Sequence, residues 1–170
     1  MNDKPLWIGS IDHERLGPIW AALSPAGLVA VLMKATEEAM RQHLAPASAQ
    51  VDQQHTQPIL DQIVEYLEGR RRDFDVEIDW SALSPFQASV LRLVWAIPYG
   101  QTRTYGDIAG ELGQPGGARA VGRANATNPM PLVIPCHRVL GTDGRLHGYG
   151  GPGGVVTKAW LLQLEGSRLL

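Results

Sequence analysis

Apolar positions in the first half of the chain alternate with turn-forming ones in the manner of a small α/β unit. "PIWAAL" and "GLVAVLM" flank "SPAG", whose Pro-then-Gly order marks a turn, so a hairpin is expected over residues 18–33. "TEEAMRQHL" (36–44) opens on Thr36 as a capping residue with acids directly after it, as a helix start does. "SAQVDQQHTQ" reads as a polar connection. "PILDQIVEYLEGRRR" then sets Ile59, Leu60, Ile63 and Leu67 on one helical face that ends near Gly69. "DVEIDW" alternates and predicts a strand. No catalytic constellation stands out in this half, which reads as scaffold.

The pattern changes at residues 81–84. "SPFQ" (84–87) is a helix-start signature, with Ser84 as cap, Pro85 at the first helical position and Gln87 reaching back. The helix "PFQASVLRLVWAI" breaks before Pro98-Tyr99-Gly100. Thr104 and Asp107 have capping-box spacing, and Tyr105, Ile108, Ala109 and Leu112 recur at i, i+3, i+4, i+7. "GQPGG" ends that helix and "ARAVGRANA" forms another, so the pair reads as a helix-turn-helix. One face of the second helix carries Arg119, Gly122, Arg123 and Ala126; the other carries Ala120, Val121 and Ala124. A helix so slim, with arginines on one side, could approach a nucleic-acid groove closely. Tight helix packing with solvated arginines explains the same pattern. The expected architecture is α/β (α+β), with a scaffold domain over residues 1–80 and a mainly helical domain over 84–170.

Charge sharpens that division. Residues 1–83 hold 7 Lys/Arg against 13 Asp/Glu, whereas residues 84–170 hold 8 against 4. The second half is therefore the one suited to a polyanion. The 170 residues are 44% apolar, enough for a core, yet no apolar run is long enough to span a membrane. The start "MNDKPLWIGSIDHERLG" lacks the basic and apolar regions of a signal peptide. A single cysteine excludes an internal disulfide, which points to a reducing cytoplasm. The five histidines show no zinc-like spacing, so no metal is expected.

That cysteine, Cys136, lies in "NPMPLVIPCHRVLG" (128–141) between Pro135 and His137. A thiolate is the nucleophilic form, and a free thiol with a pKa of about 8.5 is mostly neutral at pH 7. His137 is a base adjacent in sequence, although neighbouring side chains diverge and a water would have to link them. Glu165, just before Gly166 at the end of the helix "TKAWLLQLEG", is disfavoured there by about 0.3–1 kcal/mol unless a positive partner compensates. Cys136, His137 and Glu165 can thus be grouped as nucleophile, base and orienter. A plain surface role for Glu165 remains open at this point. "HGYGGPGG" (147–154) permits close backbone approach to a ligand, lacks a P-loop ending, and could also be a simple linker.

Taken together, "IPCHRV" (134–139), "TYGDIA", "ARAVGRAN", "NP" at 128–129, "GYGG" and "KAWLLQLEG" resemble the O6-alkylguanine-DNA alkyltransferases in content and order. The resemblance covers residues 84–166 by motif and the first 80 residues by arrangement. It implies a ribonuclease H-like N-terminal domain and a winged-helix-like C-terminal one. It also implies suicide transfer of an alkyl group from O6 of guanine in duplex DNA to Cys136, with O4 of thymine as a further candidate.

In that scheme His137, polarised by Glu165, takes the thiol proton through a water, and Tyr105 donates toward the leaving base. Asn128 ties the helix-turn-helix to the active segment. Pro131 lines the alkyl pocket, and backbone groups of Cys136, Val139, Tyr149 and Gly150 read the guanine. Arg119 fills the gap left by the flipped base. The helix bearing Ala120, Gly122, Arg123 and Ala126 lies in the minor groove. The protein would act as a monomer in the cytoplasm, without cofactor or membrane. Four departures bear on this: Gly150 stands where many relatives have serine, the loop is longer by about two residues around Pro152 and Gly153, the N-terminal half lacks the cysteines some relatives use for zinc, and Asn125 with Ala126 on the groove helix could alter damage recognition. A lesion sensor that binds alkylguanine without chemistry is the alternative, and the presence of Cys136 counts against it.

Overall fold

The structure, a computed structural model, describes residues 4–167. The outer ends of both expected domains, residues 1–3 and 168–170, lie outside the described residues. Two compact units form, one up to Ala82 and one from Leu83.

In the first unit β1 (Leu6–His13), β2 (Gly17–Ser24) and β3 (Gly27–Met33) form an antiparallel meander. The short β4 (Ala49–Val51) joins β1 in parallel, giving the order β3-β2-β1-β4. The expected hairpin is β2–β3. β1, whose "LWIGSIDH" mixes apolar and polar positions, was not legible as a strand and proves to be a central one. Helix α1 (Glu37–Leu44) starts where Thr36 Oγ1 accepts the Ala39 amide at 3.1 Å. Its Met40 packs into a cluster with Leu6, Ile8, Ala22 and Ala30 of the sheet.

Helix α2 (Gln53–Leu67) begins earlier than expected, inside the supposed polar connection. Asp52 caps the His55 amide at 3.0 Å, and Thr56 is buried, so this polar stretch gains a helical start from its cap. The helix lies so close to β1 that a Cβ on Gly9 would collide with Thr56 Oγ1.

The strand expected at "DVEIDW" reduces to a single parallel bridge between Leu28 and Ile78. Leu28 N–H donates to Glu77 and its carbonyl accepts from Asp79, after which a 3-10 turn at Trp80–Ala82 ends the pairing. Gly27, at φ +134, leaves no room for a side chain against Glu77.

The second unit starts with α3 (Pro85–Trp95), capped by Ser84 on the Gln87 amide. The Gln87 side chain does not reach back; it donates to the carbonyl and hydroxyl of Thr127 at 3.1 and 3.0 Å. β5 (Arg103–Thr104) leads into α4 (Tyr105–Glu111), with the Thr104–Asp107 capping box formed in both directions. α5 (Ala118–Ala126) completes the helix-turn-helix and packs on α3 and α4. Val121, Ala124 and Asn125 form its buried side, while Arg119, Arg123 and Ala126 are exposed. A 3-10 turn at Cys136–Arg138 runs into β6 (Val139–Leu140), which pairs in parallel with β5. α6 (Val155–Leu164) closes the unit, its Leu161 and Leu162 fully buried. No helix among the described residues is long and apolar enough to cross a membrane.

Candidate active site

The approach to Cys136 is built by one asparagine. Asn128 Oδ1 accepts the Met130 amide at 3.0 Å and its Nδ2 donates to the Ile134 carbonyl at 2.9 Å, bracing the apolar loop from both ends. Met130, Leu132, Val133 and Ile134 of that loop are buried. Leu132 is held at φ +73, a left-handed conformation costly for a branched side chain and kept only where packing determines it. Cys136 then opens the 3-10 turn, 4% exposed. From α5, Asn125 Nδ2 donates to the Cys136 carbonyl at 3.1 Å, a direct tie between that helix and the backbone of the thiol-bearing residue.

Beneath the thiol lies a buried charge cluster. His137 Nε2 is 2.8 Å from Glu165 Oε1, both side chains fully buried. Arg138 donates to the same carboxylate from Nε at 2.9 Å and Nη2 at 2.8 Å, and from Nη1 to the Ile97 carbonyl. The Gly100 amide adds a contact to Glu165 Oε2 at 3.2 Å, and the Tyr99 hydroxyl donates to the Leu164 carbonyl. The Pro98-Tyr99-Gly100 turn, which in the sequence only ends a helix, thus helps hold the Glu165 end of α6. A carboxylate can only accept, so Glu165 fixes the His137 proton on Nε2 and leaves the lone pair on Nδ1.

Burial pushes the Cys136 thiol up, against the Asn128 side chain and the Lys158 charge, which pull it down. Burial also pushes His137 down, although Glu165 opposes this. The resting pair is therefore neutral thiol and neutral imidazole, a base ready to receive a proton. Burial raises the Tyr105 phenol, keeping its proton in place.

Above the thiol is a cavity of about 190 Å³. Cys136, Tyr105, Asn125, Gly122 and Ala126 wall one part of it, and residues His147 to Gly150 of the glycine-rich loop wall the rest. A Cβ on Gly150 would run into the Ala126 carbonyl, so glycine is what lets the loop rest against the end of α5. The Tyr105 hydroxyl donates to the His147 carbonyl at 3.2 Å.

Of the residues expected to bind substrate, Tyr149 and Gly150 line this cavity, while Pro131 and Val139 do not. The Val139 carbonyl instead accepts from Lys158 Nζ at 2.6 Å. Ala120 is half-buried in α5, and Arg119 and Arg123 stand on its exposed side, away from the cavity lining. Sequence reasoning gave no part to Arg138 or Lys158, and took Asn125 only as a helix residue that could alter damage recognition, not as a support of the Cys136 segment. Asn125 lies one helical turn from Val121 on the buried stripe, which was the available signal. Among the described residues no group of three or more His, Cys, Asp or Glu side chains could hold a metal ion.

A buried thiol with its own base, opening into a cavity beside a helix-turn-helix, defines a protein that brings a cysteine to a group carried on nucleic acid. The chain belongs to the 6-O-methylguanine DNA methyltransferase family. Residues 85–167 match that family's DNA binding domain and residues 13–80 its ribonuclease-like domain. A methylated-DNA–protein-cysteine methyltransferase from Mycobacterium bovis is 44% identical over 137 residues, 81% of this chain and 78% of that protein. The protein of the same name from Salmonella typhimurium is 46% identical over 110 residues, 65% of this chain and 63% of its own. The crystal structure of Mycobacterium tuberculosis O6-methylguanine methyltransferase has a TM-score of 0.77 at 39% identity, covering 96% of this chain and 94% of that one. A structure of the M. tuberculosis protein in complex with DNA matches with a TM-score of 0.77 at 37% identity, covering 95% and 92%.

Proposed function

We propose that this protein repairs DNA directly, moving a methyl or other alkyl group from O6 of guanine in a duplex onto Cys136, once per molecule. The observation that carries this reading is the placement of Cys136. The chain's only thiol forms part of a glycine-walled cavity, next to a buried His137–Glu165 pair and tied by Asn125 to the helix whose outer face bears Arg119 and Arg123.

In this reading α5 enters the minor groove with Gly122 and Ala126 allowing close approach, and Arg123 contacts phosphate. The alkylated base is turned out of the stack at a cost of a few kcal/mol, and Arg119 takes its place. The base enters the cavity between Tyr105 and the Tyr149–Gly150 segment. His137 Nδ1 receives the thiol proton through a water, and the resulting imidazolium is stabilised by Glu165. The sulfur forms a bond to the alkyl carbon as the carbon–O6 bond breaks, and the electron pair goes to the purine. Tyr105 gives its proton to a ring nitrogen and regains one from solvent, so guanine leaves neutral. The thioether product is stable, which ends the activity of that molecule. No cofactor or metal takes part in these steps, and the protein works as a monomer in the cytoplasm.

Intact-protein mass spectrometry after incubation with a duplex holding one O6-methylguanine tests the reading. One added methyl group mapped to Cys136, absent with unmodified duplex and absent in Cys136→Ser, is the expected outcome. Lesion-selective binding with no mass gain would replace repair by sensing.

A further inference from the structure

Lys158 of α6 is fully buried, and the steps above do not use it. Its ammonium donates to three carbonyls: Val139 at 2.6 Å, His147 at 3.0 Å and Gly148 at 3.3 Å. These belong to two segments that meet nowhere in sequence. Val139 begins β6, directly after the Cys136–Arg138 turn; His147 and Gly148 begin the glycine-rich loop whose next residues wall the cavity. The His147 carbonyl is shared, since the Tyr105 hydroxyl also donates to it, and Lys158 Nζ lies 5.8 Å from the centre of the Tyr105 ring.

The loop needs such a tie. Gly148, Gly153 and Gly154 all have positive φ, and a segment so rich in glycine loses much entropy when ordered. An ammonium has three donors that can diverge toward three acceptors, which neither a methionine nor the planar fork of an arginine reproduces. Burying it is costly: desolvation brings its pKa down to about 8, and the charge of Cys136 acts the other way. The titratable groups around it are Cys136, His137 and the Tyr105 phenol, all neutral at rest, and its own charge favours the thiolate when the thiol loses its proton.

We propose that Lys158 is a positioning residue for the transfer. It pins the start of the glycine-rich loop and the strand after Cys136 to α6, so that Tyr149, Gly150 and the Tyr105 hydroxyl stay arranged around the incoming base. The role rests on the alkyl-transfer reading given above, but two of its consequences are measurable without DNA.

The test compares Lys158→Met with the parent in three ways. Alkylation of Cys136 by iodoacetamide, followed against pH, should shift to higher pH and slow by about tenfold at pH 7, one unit of thiol pKa. Chymotryptic cleavage after Tyr149 should speed up by about tenfold or more while the helices stay resistant. Methyl transfer from duplex should fall by more than the alkylation rate does, because geometry is lost as well as charge. An unchanged alkylation profile with unchanged cleavage of the loop would overturn the proposal. Should the variant not fold, Lys158→Arg decides, because it keeps the charge but not three divergent donors: the clamp requires faster cleavage after Tyr149, and cleavage at the parent's rate would refute it. If the first two measurements move as expected while the parent takes no methyl group from DNA, it is the repair reading that fails.

Discussion

Among the described residues each unit of this protein buries one carboxylate, and the two are satisfied in different ways. Asp79, in the first unit, is held mainly by neutral donors, Ser24 Oγ at 2.6 Å, Ser81 Oγ at 2.5 Å and the Ser81 amide at 3.0 Å, with the half-exposed Lys4 ammonium no nearer than 3.8 Å. Burial works to raise its pKa, but these donors outweigh it and hold Asp79 below the usual carboxylate range. Glu165, in the second unit, is held by groups that carry or exchange charge, namely Arg138 and His137. Hydroxyl and amide donors make a joint, here between the β2–β3 turn and the chain beyond Ile78. A guanidinium and an imidazole on one carboxylate make something else, a site where an arriving proton is already compensated. The same residue class thus serves assembly in one unit and, in the proposed transfer, chemistry in the other, and the partners decide which.

The comparison breaks most sharply at Glu165. Removing one partner of a buried charge pair costs about 3–5 kcal/mol, because the other charge is left uncompensated. Glu165→Gln should therefore lose stability of that order, and general-base support worth at least about a hundredfold in transfer rate as well. Asp79→Asn should cost about 1–3 kcal/mol through its unsatisfied donors and leave the rate of methyl transfer within about twofold. Denaturant titration and single-turnover transfer at low temperature measure both quantities on both variants. If Asp79→Asn slowed transfer as Glu165→Gln does, the distinction between joint and proton site would fall.

A smaller effect follows from His137. Burial holds its folded-state pKa below the ordinary value of about 6.5, so the unfolded chain binds the extra proton first as pH falls. The contribution to stability is thus complete above about pH 6.5 and is lost as pH drops from there toward the lowered folded-state value. Transfer, which in the proposed scheme draws on the neutral imidazole, should decline over the lower part of the same range. Denaturation midpoints and transfer rates between about pH 7.5 and 5, in the parent and in His137→Gln, check the sign. A parent protein that gained stability on acidification relative to His137→Gln would contradict it.

What the sequence revealed divides along the same line. Helix starts were legible because Thr36, Ser84 and Thr104 act on amides three residues away, a purely local device. The β2–β3 hairpin was legible for the same reason. β4 was not, since its three residues count as a strand only beside β1, some forty positions earlier. "DVEIDW" had the right alternation, but β3 offers it only Leu28. At the site, Cys136 and His137 announced themselves as unusual neighbours. Lys158 did not, because a lysine in a helix is ordinarily solvated, and only three carbonyls from β6 and the loop make its burial tolerable. The Gly100 amide and Ile97 carbonyl were equally silent, being backbone groups that any residue would carry.

The least effect is expected at Arg119, and it separates the outer face of α5 from its inner one. Asn125 on the inner face reaches Cys136 directly, whereas Arg119 is exposed and touches none of the cavity. Arg119→Ala should leave fold and thiol untouched and weaken only what depends on a base being turned out of a duplex. Repair of a methylated duplex should slow by about tenfold, the worth of roughly 1.4 kcal/mol toward unstacking. Reaction with free O6-benzylguanine, which needs no unstacking, should proceed at the parent's rate. Parallel rate measurements on the two substrates decide it. Equal losses on both would place Arg119 in the reaction chamber itself, and α5 would then no longer divide into a face for DNA and a face for the thiol.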